Sequence, residues 1–328
     1  MADAVFVREW YEQRLTAAAA VGVGEVWQTA DGKAAVYDRL AGLSTNPAVS
    51  GASGEAVKFV TAGKFTMPLT ASIVILDGGR VYWDHSANAC HFKKVNDRDF
   101  YLGRAVGDSS GGSVVVDLNS DPRPDIDLLR DAVLSVPVGT QAVGGFGFPK
   151  ILGGSQSVEL TSTSEAQKID LLSVDGFAKG ANAIAEFIFR IPDDGAGTAA
   201  DFNVGVANGT HATDANSITE RVLFHTDANA LDILAWSTDG TTTVALTDTT
   251  INYAEGSAVA NRVECWIDMR NPADCQLYID GVLVLGASVF NVDVATGPFF
   301  LLVHLEKTSA ADVFRAVIDR ACVRFAEQ

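Results

Sequence analysis

Apolar residues at every second position, in short runs closed by Asp-Gly, constrain this chain more than any other feature. In Ala185–Ile191, Phe187, Phe189 and Ile191 fall on one side and Glu186 and Arg190 on the other. In Val263–Met269 the odd positions are apolar, while Glu264 and Asp268 lie opposite. A period of two is that of a strand with one face buried. Asp31-Gly32, Asp77-Gly78-Gly79, Asp239-Gly240 and Asp280-Gly281 punctuate the runs. Glycine takes positive φ without steric cost, so these pairs mark tight turns. Many short strands with such turns predict an all-β chain built as stacked sheets.

At 328 residues the chain is long enough for two domains, and its 48% hydrophobic content supplies their cores. No run approaches 18 consecutive apolar residues, so no membrane helix is expected. The first ten residues lack a basic stretch followed by an apolar one, so no signal peptide is expected. Cys90, Cys265, Cys275 and Cys322 show no CxxC spacing, which argues against a zinc or redox motif. Cys265 and Cys275 are spaced to meet across a hairpin, but buried thiols fit a chain made in a reducing cytoplasm better. Charge is unevenly spread. Residues 1–120 hold 11 Lys+Arg against 13 Asp+Glu (-2), and residues 121–328 hold 13 against 28 (-15). The acidic part would be repelled by DNA, so nucleic acid is not expected as a partner.

Residues 5–20 read as a helix, with Val7, Tyr11 and Leu15 at i+4 spacing and Phe6 and Trp10 in a second row. Such a helix either packs on its own domain or reaches a neighbouring subunit. Glu25–Thr29 and Lys33–Tyr37 flank Ala30-Asp31-Gly32 as a hairpin. Residues 42–54, rich in Ser, Gly, Asn and Pro, read as a loop. Val57–Thr61 is the next expected strand. Phe65 and Met67 alternate until Pro68, and Ile73–Leu76 is a short apolar run. Val81-Tyr82-Trp83 is a strand, Asp84–Asn88 turns, and Ala89–Phe92 returns.

The order Gly63-x-Phe65-x-Met67-Pro68, Asp77-Gly78-Gly79-x-Val81-Tyr82-Trp83-Asp84, Leu102-Gly103-Arg104-Ala105, Val114–Leu118 resembles the phage capsid-decoration (head cement) proteins over residues 45–119. The resemblance implies a β-rich module on the outside of a phage head, stabilising it. It further implies the major capsid protein as partner, a homotrimer, and residence on the capsid exterior of a virion made in a host cytoplasm. Phe6, Trp10 and Tyr11 are then expected at the capsid or subunit contact.

Asp121-Pro122-Arg123-Pro124 breaks the chain, and Asp125–Val136 reads as a short helix or irregular. Gly144-Gly145-Phe146-Gly147 lacks the Lys-Ser/Thr ending and frame of a phosphate loop. From residue 156 strands are continuous to Phe325. The run Arg262-Val263-Glu264-Cys265-Trp266-Ile267-Asp268, followed by Gln276-Leu277-Tyr278-Ile279-Asp280-Gly281-Val282-Leu283-Val284, is similar to the central strands of laminin-G/concanavalin-like jelly rolls. That resemblance implies that the first and last strands meet in one sheet. Strand parity then puts Val317, Ala321, Val323 and Phe325 on one face, with Asp319 as an exception.

The expected organisation is a helix-and-hairpin arm (1–44), a decoration-like β module (45–119), a linker (120–155) and a two-sheet lectin-like sandwich (156–328). The expected function is structural: capsid decoration with the sandwich displayed outward. A carbohydrate-binding adhesion protein is the alternative, and a glycan-degrading enzyme a third. Glu264 and Asp268 do not make the paired-acid motif of a glucanase and read as solvated outer-face residues. No HExxH or Gly-x-Ser-x-Gly motif occurs, and no catalytic residue, metal or cofactor is expected. Asp193-Asp194, and Asp227 with Asn229, supply too few oxygens for calcium. Trp236, beside a polar turn, is the expected aromatic for a glycan; Trp266 shares the outer parity of Glu264.

Overall fold

The computed structural model describes residues 12–16, 25–37, 56–121, 124–134, 155–160, 165–195, 200–212, 214–307 and 313–326, with 139 and 197. The chain divides into two compact units, residues 1–122 and 123–326.

The first unit holds two sheets. β1 (Glu12–Thr16), β2 (Val26–Gln28), β3 (Ala34–Tyr37) and β4 (Ala56–Val60) form an antiparallel sheet in the order β1-β4-β3-β2. The expected helix is therefore corrected at 12–16, where Glu12 to Thr16 pair residue by residue with Val60 to Ala56. A pairing partner distant in sequence gives the backbone its hydrogen bonds and overrides local helix propensity. The rest of that helix, the loop at 42–54, and Phe6, Trp10 and Tyr11 lie outside the described residues. The β2–β3 hairpin turns where expected, with Gly32 at φ +84°. Ala35, Tyr37 and Phe59 form its core, with Trp27 packed against them.

β5 (Lys64–Pro68), β6 (Arg80–Asp84), β7 (Ala89–His91), β8 (Phe100–Ala105) and β9 (Ser113–Leu118) follow the order β5-β9-β8-β6-β7. A parallel bridge between Leu69 and Cys90 joins the two ends of this sheet. Bringing the ends together at this point covers part of the edges that invite unwanted pairing. Met67, Val81, Trp83, Leu102, Val114, Val116 and Leu118 are buried. Ile73–Leu76 is not a strand, yet Ile75 and Leu76 are buried, and Ile75 exchanges hydrogen bonds with Ser109. The Leu102-Gly103 step is a bulge opposite Val81/Tyr82. A Cβ on Gly103 would sit 2.1 Å from the Asp117 carbonyl oxygen, so only glycine fits there.

Asn119, at φ +56°, ties the two sheets of this unit together. Its Oδ1 accepts from the Ala34 amide at 2.8 Å, and its Nδ2 donates to the Ala34 and Thr61 carbonyls, both at 2.7 Å. Asn119→Ala removes three hydrogen bonds at a backbone conformation alanine resists. The expected loss is about 2–3 kcal/mol from this unit, at about 1 kcal/mol per bond. Thermal melting of the full chain checks this, and an unchanged first transition would refute the tie.

The second unit begins with two short strands, β10 (Ile126–Asp127) and β11 (Ala132–Leu134), where a helix or irregular chain was expected. They are fixed by pairing with β23 and β13 rather than by local periodicity. Then come β12 (Gln156–Leu160), β13 (Gln167–Ser173), β14 (Ala183–Asp193), β15 (Ala200–Ala207), β16 (Glu220–Asp227), β17 (Asp232–Asp239) and β18 (Thr243–Asn252). β19 (Val263–Asp268), β20 (Gln276–Ile279), β21 (Val282–Val284), β22 (Phe300–Lys307) and β23 (Phe314–Phe325) complete it. One seven-stranded sheet runs β10-β23-β14-β19-β20-β21 with β12 also on β23; the other runs β11-β13-β22-β15-β16-β17-β18. Phe187, Phe189 and Ile318 of the first sheet share a core with Phe202, Phe224 and Val303 of the second. The Phe189 and Phe202 rings meet at 5.3 Å, and those of Phe202 and Phe314 at 6.0 Å. This is the two-sheet antiparallel sandwich expected. The β20–β21 turn has Asp280 at φ +49° and Gly281 at +75°, as a two-residue hairpin requires.

β12 pairs with β23, so the first long strand and the last share a sheet. The parity expected along β23 is corrected. Ile188 pairs with Arg320 and Phe189 with Ile318, which leaves Asp319 as a bulged extra residue. One extra residue exchanges the two faces. Phe314, Ala316 and Ile318 therefore join Ala321 and Val323 in the core, while Phe325 is 38% exposed. The Asp319 carboxylate accepts from Arg190 at 2.9 Å and Arg262 at 2.6 Å.

Candidate functional site

The second sheet of the sandwich carries polar rows on the face away from the core. Strand register sets them. Asp170, His304, Asn203 and His225 lie in one cross-strand row, and Lys168, Glu306, Asp201 and Asp227 in the next. On the other side of the first row, Leu172, Leu302, Leu223 and Trp236 make an apolar patch. The connection from β15 to β16 packs on that patch through Ala215 and Ile218. It is also tied to the polar rows: Lys168 Nζ donates to the His211 carbonyl at 2.7 Å, and the Ala215 amide to Glu306 Oε1 at 3.3 Å.

Charges in these rows are paired unequally. His304, fully buried, lies between Asp170 at Nδ1 and Glu306 at 2.9 Å from Nε2. Burial opposes its charge, but hydrogen bonds to Asp170 and then Glu306 outweigh it and hold the imidazole at about 9. Lys168 Nζ is 2.5 Å from the other Asp170 oxygen. At the far end, His225 Nδ1 is 2.9 Å from Asn203 Oδ1, and its Nε2 is 2.7 Å from Asp227 Oδ1. The hydrogen bond to His225 holds Asp227 below the usual carboxylate range. Burial pushes Asp201 up to about 6, against the pull of His225 and with repulsion from Asp227 and Glu306.

Trp236 is 6% exposed, with the Arg221 guanidinium 4.3 Å from its ring centroid. Trp266 is 1% exposed, and its indole N–H donates to Glu264 at 2.9 Å. Glu264 and Asp268 are buried rather than solvated, and Asp268 is paired with Arg270 at 2.5 Å. Glu186, on the same outer face, is held by Arg320 at 2.8 Å and Arg324 at 2.6 Å. Asp193 and Asp194 are used locally: Asp193 accepts from the Gly195 amide at 3.0 Å, and Asp194 from the Tyr253 hydroxyl at 3.1 Å. All four cysteines are free and buried, and burial pushes the Cys90 and Cys275 thiols up to about 12. The polar rows escaped sequence reading because Asp170, Asp201, His225 and His304 are scattered in sequence and only the strand register assembles them.

Among solved structures, the chain is similar to the carbohydrate recognition domain of Emp47p at 10% identity, over 79% of this chain and 98% of that one, TM-score 0.42. It is similar to the metal-free carbohydrate recognition domain of Emp46p at 13% identity, over 61% and 90%, TM-score 0.40. Carbohydrate binding module CBM66 from Bacillus subtilis matches at 13% identity, over 61% and 97%, TM-score 0.34. These likenesses are distant. No curated protein sequence matches the chain. Residues 8–119 match the family model described as phage cement protein, which covers about a third of the chain.

Proposed function

We propose that this protein is a virion component that decorates and stabilises the outside of a phage-type capsid. Residues 1–122 attach to the major capsid protein, and the acidic sandwich is displayed outward. The observation that carries this is the phage cement match over residues 8–119, which falls within the first compact unit. Charge supports the division of roles, with -2 on residues 1–120 and -15 on residues 121–328. A near-neutral docking face binds by apolar contact more than by ion pairs, so attachment survives moderate salt. A shell repeats its docking sites, and neighbouring copies reinforce weak individual contacts. A closed homotrimer suits such a lattice, with Phe6, Trp10 and Tyr11 at the subunit or capsid contact. Trp236 has a packing role in this proposal, and no catalytic step is assigned.

Undecorated expanded heads mixed with the full chain, residues 1–122 or residues 123–328 and then sedimented test it. The full chain and residues 1–122 should pellet with heads in stoichiometric amounts, with residues 123–328 left in the supernatant. Pelleting of the sandwich alone would reverse the assignment of roles.

A further inference from the structure

We infer that Asp201, His225 and Asp227 form a binding site for a divalent transition-metal ion of the zinc type. One ligand atom from each of the three lies within 4.8 Å of the other two. Asp201 on β15 and Asp227 on β16 are directly opposed across the strand pair, and Asp201 is directly opposed to Glu306 on its other side. Three carboxylates thus stand in one cross-strand row. Like charges placed directly opposite one another destabilise a sheet. Glu306 is paired with the His304 imidazolium, but among the described residues no lysine or arginine forms an ion pair with Asp201 or Asp227. Lys168, at the end of the row, directs its ammonium to Asp170 and the His211 carbonyl instead. A bound cation supplies the missing charge.

The imidazole narrows the choice of ion. His225 is 5% exposed, and its Nε2 is turned to Asp227 Oδ1 at 2.7 Å. Its Nδ1 lies against Asn203 Oδ1, and Asn203 is itself 1% exposed. A metal-ligating histidine ordinarily gives its second nitrogen to such a partner, which fixes the ring and leaves the first nitrogen's lone pair for the ion. One imidazole with two carboxylates is a mixed nitrogen–oxygen set suited to zinc and its neighbours. Calcium takes six to eight oxygens and is poorly served. The Asp227 side chain is 43% exposed, which leaves an entry path and room for water to complete the coordination.

Titration calorimetry of the full chain, stripped with chelator and supplied separately with zinc, manganese, calcium and magnesium chlorides, tests the site. One zinc per chain is expected, with calcium and magnesium at least tenfold weaker. Cobalt substitution should give visible absorption bands of a nitrogen–oxygen site. Asp227→Asn, at a half-exposed side chain, should fold with an unchanged melting temperature in chelator and weaken zinc about 10–100-fold. Asp201→Asn is the second variant and should do the same, while Asp293→Asn, elsewhere in the unit, should leave affinity unchanged. Absence of zinc binding overturns the site. Zinc binding unaltered in both Asp201→Asn and Asp227→Asn overturns it too, and preference for calcium overturns the assigned class of ion.

Discussion

Removal of residues 313–328 is expected to abolish cooperative melting of the sandwich while the transition of residues 1–122 persists. β23 is terminal in sequence but not in the sheet: it carries β14 on one side and both β12 and β10 on the other. Phe314, Ile318 and Val323 are each no more than 1% exposed. Full burial of such side chains contributes about 1.5–3 kcal/mol each. Three of them together rival the total of about 5–15 kcal/mol by which a domain is stable. Deletion also strips three strands of backbone partners and leaves Arg190 without the Asp319 carboxylate. Calorimetry of the full chain and the truncation separates the two units. A truncation that keeps a second transition at the original temperature would remove β23 from the core.

A milder version isolates the bulge. Ile318→Asp places a carboxylate in the core, whereas Val317→Asp places it on the other face. The first should lower the sandwich transition far more than the second. Parity counted back from Val323 without the bulge gives the opposite order.

What the sequence made legible were features set within a few residues. The alternation in β14 and β19 marks faces directly, and Asp280-Gly281 carries the φ values its hairpin needs. Features set by distant partners were not legible. Glu12–Thr16 looks helical in isolation because its pairing partner is Ala56–Val60. Asp319 looks like an intrusion in an apolar strand until β14 is laid beside it and the extra residue becomes a bulge. Glu264 and Asp268 stand opposite the core residues, as alternation predicts, but alternation does not tell an exposed outer face from a covered one. The acidic row is the extreme case: Asp201, Asp227 and Glu306 share a row only because β15 lies between β16 and β22.

Raising the pH from about 6.5 to about 8.5 is expected to weaken the sandwich by about 2 kcal/mol of the about 3 kcal/mol that His304 contributes in all, and His304→Gln should remove most of that dependence. The imidazole titrates at about 9 in the folded chain, against an ordinary value of 6.5. Between these values the folded state holds a proton that the unfolded state has lost, so stability falls as pH rises. The contribution is fully present below 6.5 and gone above about 9. At about 1.4 kcal/mol per unit the difference amounts to about 3 kcal/mol. The charged groups facing the ring are Asp170 and Glu306, with Lys168 on the far oxygen of Asp170. Losing the imidazolium leaves two buried carboxylates with one ammonium between them, which is the physical source of the loss. Asp201 does not confuse the result, because its own window lies between 3.8 and about 6. Urea unfolding at pH 6.5, 7.5 and 8.5 measures the slope, below the range in which the buried Cys265, Cys275 and Cys322 thiols, raised above their ordinary value of 9, add a loss of their own. A flat profile across that range, or an equal slope in His304→Gln, would show that His304 is not the group responsible.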